Sequence, residues 1–536
     1  MGNFENLILE SANHVFYAGL AEPEGSLTNW PSQFKVEPAE ASLGNVALIT
    51  DTKNDHRFEI VSPDPTFFEE LSQFALGKIE GTVNLEQFHG CDGGHYLLTL
   101  VKVDGSLISG ATSEEFFKLI KNTENERAKI GEAKLTLADT SDWNRKYEDY
   151  ALLRRDAPVY YDLDLESWII TRYEDVLELA RDPRVDLNGV LPAKIKSLPE
   201  DVATALKPIT DFLQTWMIYN QDPTHDELKK PMSKMFSSQN LQEMEDRIKY
   251  LSDGLISNIK ANYPDGEFDV VREYAHPLPA MILGEMLGVP LDRITQFLSW
   301  SDQLASFMQN FVVSPLPDVA LSAATVATIE EMKVFFEKSV QTRTQENTGD
   351  ILHDVVSHST LSVETMRNQC IHMMFGGHKV PEFLLGNLLV TVFKNDGLYE
   401  RLANDRSLID GVVQEAIRYE SPIQFITRTA NEDIALHGQT LKTGDNIMLV
   451  IASANRDPSI FMNPDTFDVT RNSRRHLGFG AGSHYCIGSS LVNLELRIMV
   501  NSLLDAFPNL KPKNPDMPIW SSNPTFHGVR ELPVFS

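Results

Sequence analysis

Cysteine is scarce in this chain: Cys91, Cys370 and Cys486 are the three among 536 residues. An odd, scattered set of three builds no disulfide framework and suits a reducing, cytoplasmic setting. Long apolar runs are missing too. Residues 447–452 form a run of buried-strand length, far short of the roughly 18 to 20 consecutive apolar residues that cross a bilayer, so no membrane partner is expected. The N-terminus MGNFENLILES has no basic region ahead of an apolar one, and Asn6 stands where a myristoylation signal has Ser or Thr. Basic residues are in the minority: 47 Lys and Arg face 76 Asp and Glu, for a net charge of −29. A surface that acidic repels phosphate backbones, which excludes general nucleic-acid binding.

What is present is an ordinary globular composition, 42% hydrophobic and 23% charged, on a length that allows about three or four domains or one large enzyme domain. The first 140 residues differ in texture from the rest. Strand-like runs at 45–50, 58–61 and 96–103 alternate with helical patterns at 65–76 and 113–121, the pattern of a small α+β module. A polar stretch then ends it, and a boundary falls between 140 and 141. This module holds 10 Lys and Arg against 22 Asp and Glu, so its acidity does not set it apart. Its His89, Cys91 and His95 match no zinc-ligand spacing and read as a loop with a buried Cys. It carries no G-x-G-x-x-G after a strand and no four-Cys set, which excludes a fused reductase.

Beyond residue 141 the chain reads as mainly helical with a few strands. Residues 167–171 make a strand, 173–182 a helix, and the longest helical pattern runs from the N-cap Ser362 to about Lys394. That length is on the order of 50 Å, enough to cross a domain. Its middle, Gly376-Gly377-His378-Lys379-Val380-Pro381, gathers helix weakeners and predicts a kink or local opening.

The strongest signal is Phe479-Gly480-Ala481-Gly482-Ser483-His484-Tyr485-Cys486-Ile487-Gly488, followed by a helical pattern over 489–507. Glycines around one Cys at a helix start let backbone amides turn toward the sulfur and stabilise a thiolate ligand. Haem iron takes such a thiolate where O–O cleavage is wanted.

At this motif the sequence resembles the cytochrome P450 family of the bacterial soluble type, whose haem loop reads Phe-Gly-x-Gly-x-His/Arg-x-Cys-x-Gly. The resemblance spans roughly 142 to 536 and implies the P450 fold, mainly α with small β-sheets, with haem b as cofactor and Cys486 as axial ligand. Phe479, Gly480, Gly482 and Gly488 then shape the haem loop. Glu415 and Arg418 match the family's Glu-x-x-Arg, with Arg471 as the later partner of that network. His225, Lys229, Arg428 and His476 match its propionate contacts, although Lys229 stands where the family has Arg and lacks the bidentate fork. Trp216, Met217, Ile423, Gln424, Phe425 and Phe526 are the expected substrate-pocket lining.

The pattern breaks in the central helix. Oxygen-activating members carry Ala/Gly-Gly-x-Asp/Glu-Thr, an acid and an alcohol that relay protons. Here Gly376-Gly377-His378 leads to Lys379 and Val380. A buried Lys379 must find an anion or lose its proton. Three explanations stay open: an oxygenase whose substrate supplies the missing group; a peroxide-using enzyme with Lys379 holding a substrate carboxylate; and a non-oxygenating rearrangement, dehydration or coupling. Gly377, His378, Lys379 and Val380 are the catalytic candidates in each. A haem protein with lost catalysis and a ligand- or partner-binding role is a further alternative. The leading expectation is oxidation of a small organic molecule in secondary metabolism. Electrons for dioxygen come from a separate ferredoxin and reductase; of Lys229, Lys230, Lys234, Arg471, Arg474 and Arg475, some serve the propionates or the fold and the rest form a basic island suited to docking that donor.

Overall fold

The computed structural model describes nine strands between residues 4 and 113 by their backbone, and residues 143–536 except 163–164, 315–316, 515–517 and 522. Internal contacts divide the chain into one unit of Met1–Lys134 with Tyr161–Glu166 and a second of Leu135–Tyr160 with Ser167–Ser536. In the first, seven strands form a sheet in the order Phe4–Asn6, Gly81–Gln87, His95–Lys102, Leu107–Ser113, His56–Ser62, Gly44–Asp51, Phe34–Ala41. Every neighbouring pair is antiparallel. The strands expected at 45–50, 58–61 and 96–103 fall on three of these. The helices expected at 65–76 and 113–121, and the segment holding His89 and Cys91, lie outside the described residues.

The second unit is mainly helical around Val363–Lys394, a helix of 32 residues. Its start follows from the sequence: the Ser362 hydroxyl accepts the Thr365 amide at 3.1 Å, and Glu364 sits in the positive first turn. Asn395 leaves the helical region and Gly397 turns with φ of 69°. The helix runs unbroken through Gly376 and Pro381, so the expected opening is absent. Packing explains it. Met374 above and Leu384 and Leu385 below are fully buried, and helices Pro277–Met286, Val319–Gln345, Ile409–Tyr419 and Ser489–Ala506 surround them. Their burial stabilises the continuous helix by more than one missing N–H costs. A methyl on Gly377 would lie 2.7 Å from Leu283 Cδ2, so this glycine admits the helix Pro277–Met286. The helix expected at 173–182 closes earlier, at Leu179, because Asp182 turns back to accept the Arg184 amide and guanidinium.

A five-stranded sheet flanks the helices in the order Val159–Asp162, Ser167–Ile170, Asn446–Leu449, Ile426–Ala430, Val185–Asp186. Ser167–Ile170 runs parallel to Asn446–Leu449. Among the described residues no helix is long and apolar enough to cross a membrane.

Glu415 and Arg418, three apart on the helix Ile409–Tyr419, are both fully buried and meet at 2.7 Å. Glu415 also accepts Arg471 at 3.0 Å, the Asp468 amide at 3.0 Å and the Ser473 hydroxyl. Burial acts to raise the Glu415 carboxyl, but the hydrogen bonds and charge of Arg418 outweigh it and hold the group below its ordinary range. Arg418 spans onward to the Asn455 and Pro464 carbonyls at 2.9 Å. Removing one partner leaves buried charge uncompensated, so Glu415→Gln is expected to cost about 3–5 kcal/mol. Urea unfolding checks this, and an unchanged midpoint would refute it.

Candidate haem-thiolate site

The Cys486 loop is built by backbone geometry. Gly480 and Gly482 have φ of 71° and 72°, and a methyl on Gly482 would lie 2.7 Å from the Ala180 carbonyl oxygen. The Cys486 amide donates to the Phe479 carbonyl at 2.9 Å, closing the loop. Gly488 then starts the helix Ser489–Ala506. Burial pushes the Cys486 thiol up, while the Gly488 and Ser489 amides and the nearby Lys229 charge act in the opposite sense. These are the donors that a metal-bound thiolate needs. Asn455 positions the approach, its side-chain oxygen accepting the Leu477 amide at 2.7 Å.

The loop faces a cavity of about 920 Å³ lined by Cys486, Phe479, Gly480, Gly488, His225, Lys229 and Arg428, among others. His225 and Lys229 share a face of the helix Thr224–Ser233. Lys229 donates to the Ser483 and Tyr485 carbonyls, the latter at 3.1 Å, so it steadies the Cys loop. His225 packs 4.1 Å from the His484 ring and its Nδ1 meets Asp222 at 3.2 Å. Burial brings His484 to about 3, with the charges of His225, Arg428 and Lys229 adding to the effect. Burial brings Arg428 down to about 10. Its guanidinium donates to the Thr427 carbonyl at 2.7 Å and makes no ion pair among the described residues. His484 Nε2 is buried without a partner. A buried guanidinium, an ammonium and two imidazoles that raise one another's cost of charging call for anions at this end of the cavity. The two propionates of haem b supply such anions, and the residues fit the group. His476 is buried beside Phe479, next to the cavity-lining Leu477 and Gly478. Its Nδ1 accepts the Gly478 amide at 3.2 Å, which spends that nitrogen on the loop. Gly482 stands outside the wall, where its role is the close approach to Ala180.

The central helix forms another wall. Gly377, Lys379 and Val380 line the cavity, as do Trp216, Met217, Ile423 and Phe526. Gln424 and Phe425 do not. The chain from Ile423 to Ile426 is not a regular strand, so the residues facing the cavity are Ile423 and Ile426. Gln424 turns inward instead, donating to the Ser421 carbonyl at 2.8 Å. His378 is a further correction: it is fully buried outside the cavity wall, with Nδ1 at 2.8 Å from the Ser301 hydroxyl. Burial brings it to about 3, the Lys379 charge adding to the effect. Lys379 is not a free cation. Its ammonium meets Asp302 at 2.7 Å and Glu382 at 3.1 Å. Burial acts to lower Lys379, but those two carboxylates outweigh it and the group stays charged above its ordinary range. The sequence reading missed His276, Asp302, Glu382 and His484. Glu382 was legible, being three residues from Lys379 on one helix face. Asp302 and His276 lie 77 and 103 positions away and left no local signal.

Two outcomes are expected. Arg428→Leu should lose a charge-assisted contact worth about 1.5–3 kcal/mol, roughly tenfold or more in haem retention, measured as haem transfer to excess apomyoglobin; unchanged transfer would refute the assignment. The second concerns acid. His378 titrates near 3 in the fold against an ordinary 6.5, so the native state binds fewer protons there. Its stability is full above that ordinary value and is lost as pH falls, by about 1.4 kcal/mol per pH unit. Carboxylates such as Glu382, ordinarily 4.5, do not contribute until pH falls lower. Urea midpoints at pH 7, 6 and 5 should decline, and less steeply in His378→Gln.

The sequence profile of the family described as Cytochrome P450 matches residues 196–527. A "Cytochrome P450" of Bacillus subtilis is 30% identical over 400 residues, 72% of this chain and 93% of that protein. The "Cytochrome P450 monooxygenase PikC" of Streptomyces venezuelae is 28% identical over 401 residues, 72% of this chain and 90% of the relative. Among solved structures, P450BioI in complex with an acyl carrier protein carrying hexadec-9Z-enoic acid superposes with a TM-score of 0.66 at 27% identity, covering 73% of this chain and 98% of that one. With a Cys loop that matches the family's haem motif, a cationic end that fits propionates and a family match over most of its length, this chain belongs to the cytochrome P450 family of haem-thiolate oxidoreductases.

Proposed function

We propose that the chain is a monooxygenase of secondary metabolism that takes a small, largely apolar organic molecule into the cavity above the Cys486 loop. The observation that carries this reading is one 920 Å³ cavity walled by the thiolate loop, by the cation cluster and by the central helix. Cys486, its amide donors, Arg428, His225 and His484 would hold the haem, which when bound supplies one-electron and dioxygen chemistry. Trp216, Met217, Phe375, Ile423 and Phe526 present apolar and aromatic surface to a substrate and exclude water. Val380 contributes bulk and no proton. The relatives include a polyketide-biosynthesis enzyme and one solved with an acyl-loaded carrier protein, which supports an acyl or polyketide-like substrate class. We place the enzyme in the cytosol, where a thiolate ligand is kept reduced.

Electrons would come from a separate ferredoxin and reductase. Lys230, Arg474 and Arg475 are exposed, whereas Arg471 belongs to the Glu415 network and Lys229 to the loop carbonyls. The docking patch is thus the remainder of the basic set, as the sequence reading expects.

Comparing turnover with dioxygen plus a reductase system against hydrogen peroxide alone tests the reading. Product from the first and little from the second is expected; product from peroxide alone would favour the peroxide-using alternative. The structure also alters the expectation for Lys379. Because Asp302 and Glu382 already neutralise it, a fatty acid and its methyl ester should show spectral dissociation constants within about threefold of each other, under 1 kcal/mol. Acid binding that is tighter by an order of magnitude, and lost in Lys379→Met, would restore the carboxylate anchor.

A further inference from the structure

The cavity wall holds four ionisable groups in one hydrogen-bonded row. His276 Nδ1 lies 2.8 Å from Glu382 Oε2, the same oxygen lies 3.1 Å from Lys379 Nζ, and Lys379 Nζ lies 2.7 Å from Asp302. All four line the cavity. Exposure falls along the row from both ends: the side chains of Asp302 and His276 are 50% and 25% exposed, those of Lys379 and Glu382 are 18% and 7%. The row is assembled from separate elements. Lys379 and Glu382 are three apart on the central helix, Asp302 belongs to the helix Ile294–Val313, and His276 sits where the π-helical turn Val271–Ala275 hands over to the helix Pro277–Met286. Such π turns re-aim single side chains.

We propose that His276, Glu382 and Lys379 form a proton path from solvent into the cavity, in place of the acid and alcohol that positions 379 and 380 do not supply. The path rests on the haem-thiolate reading of the cavity. A proton taken from water at His276 Nε2 releases the Nδ1 proton to Glu382 Oε2. Glu382 passes it to Lys379 Nζ once that nitrogen has given one of its own protons to an anionic oxygen in the cavity. The sum is one proton moved from water to cavity, with the charge of the three groups restored, no electron transferred and His276 left as its Nε2–H tautomer, which proton exchange with water returns to the Nδ1–H form.

The neighbours suit the path. Asp302 holds the Lys379 ammonium in place from the opposite side. On the central helix, His378 Nε2 lies 4.0 Å from Glu382 and stays neutral, so it adds no competing charge. From the turn before His276, Arg272 is engaged by Glu273 at 2.7 Å and by Tyr263 at 3.1 Å. Burial acts to raise Glu382, but the His276 hydrogen bond and the Lys379 charge bring it to about 2. An ammonium held by two carboxylates yields a proton only to an acceptor more basic than an ordinary amine, which keeps protons out of the cavity until a strongly basic oxygen forms there. His276, His378 and Glu382 stand within 4.8 Å as a metal triad would, yet the Glu382 oxygen is already shared by the Lys379 ammonium and the His276 imidazole.

Cyanide association with the ferric holoenzyme tests the path without turnover. Cyanide arrives as the neutral acid and binds as the anion, so one proton must leave: in reverse, Lys379 gives a proton to Glu382, which passes one through His276 to water, and Lys379 takes the cyanide proton in its place. Stopped-flow mixing at pH 7 should show association slowed at least about tenfold in Glu382→Gln and in His276→Gln, the low end of general acid–base contributions, with the thiolate carbon monoxide band retained. His276→Gln, at a quarter-exposed site, decides the matter where Glu382→Gln fails to fold. Association within about twofold of the parent, with that band intact, overturns the path. Absence of the thiolate band in the parent protein overturns the haem-thiolate reading instead.

Discussion

One carboxylate, Glu415, ties the catalytic unit together. It sits fully buried on the helix Ile409–Tyr419 and collects Arg418, Arg471, Ser473 and the Asp468 amide. Charges this deep are costly unless every lone pair is met, and here both carboxylate oxygens are. The consequence is positional. Arg418 fixes the Asn455 backbone, the Asn455 side chain fixes Leu477, and Leu477 leads directly into the loop that presents Cys486. Because the same helix packs on the central helix, the network sets the thiolate against the opposite wall of the cavity.

The two ends of that cavity solve electrostatics differently. Around Arg428, His225 and His484 basic groups gather with Asp222 alone paired to one of them among the described residues, and burial pushes each below its ordinary range. That end is built for a dianionic guest. At the central helix the reverse holds: Lys379 is closed into a row with Asp302 and Glu382. A lysine where relatives of this fold use an acid therefore preserves an ionisable network while reversing the sign at its centre.

Much of this was legible in the sequence. The ten-residue Cys motif, the Ser362 cap and the Glu415–Arg418 spacing are local patterns whose chemistry depends on neighbours within a turn or a loop. Arg471 was reachable through the order of segments. The failures share one cause. His378 reads as a cavity residue by its place beside Lys379, but one step along a helix rotates a side chain by about 100°, and Ser301 receives it on the far side. Gln424 and Phe425 fail because the resemblance offered three consecutive residues, of which only Ile423 faces the cavity while the Gln424 amide turns to the Ser421 carbonyl. The expected opening at Gly376 and Pro381 fails because flanking burial outweighs local propensity.

The sequence by itself determined the ligand, the loop that holds it, the helix that crosses the unit and the absence of the usual acid and alcohol, since each is written in contiguous residues. Tertiary structure alone decided what Lys379 does. Its partner Asp302, and the His276 that holds its other partner Glu382, come from elements far away in the chain, brought within about 3 Å of the row only by packing around the cavity, and no spacing along the chain encodes that meeting. The charge of a buried side chain takes its meaning from the charges folded around it.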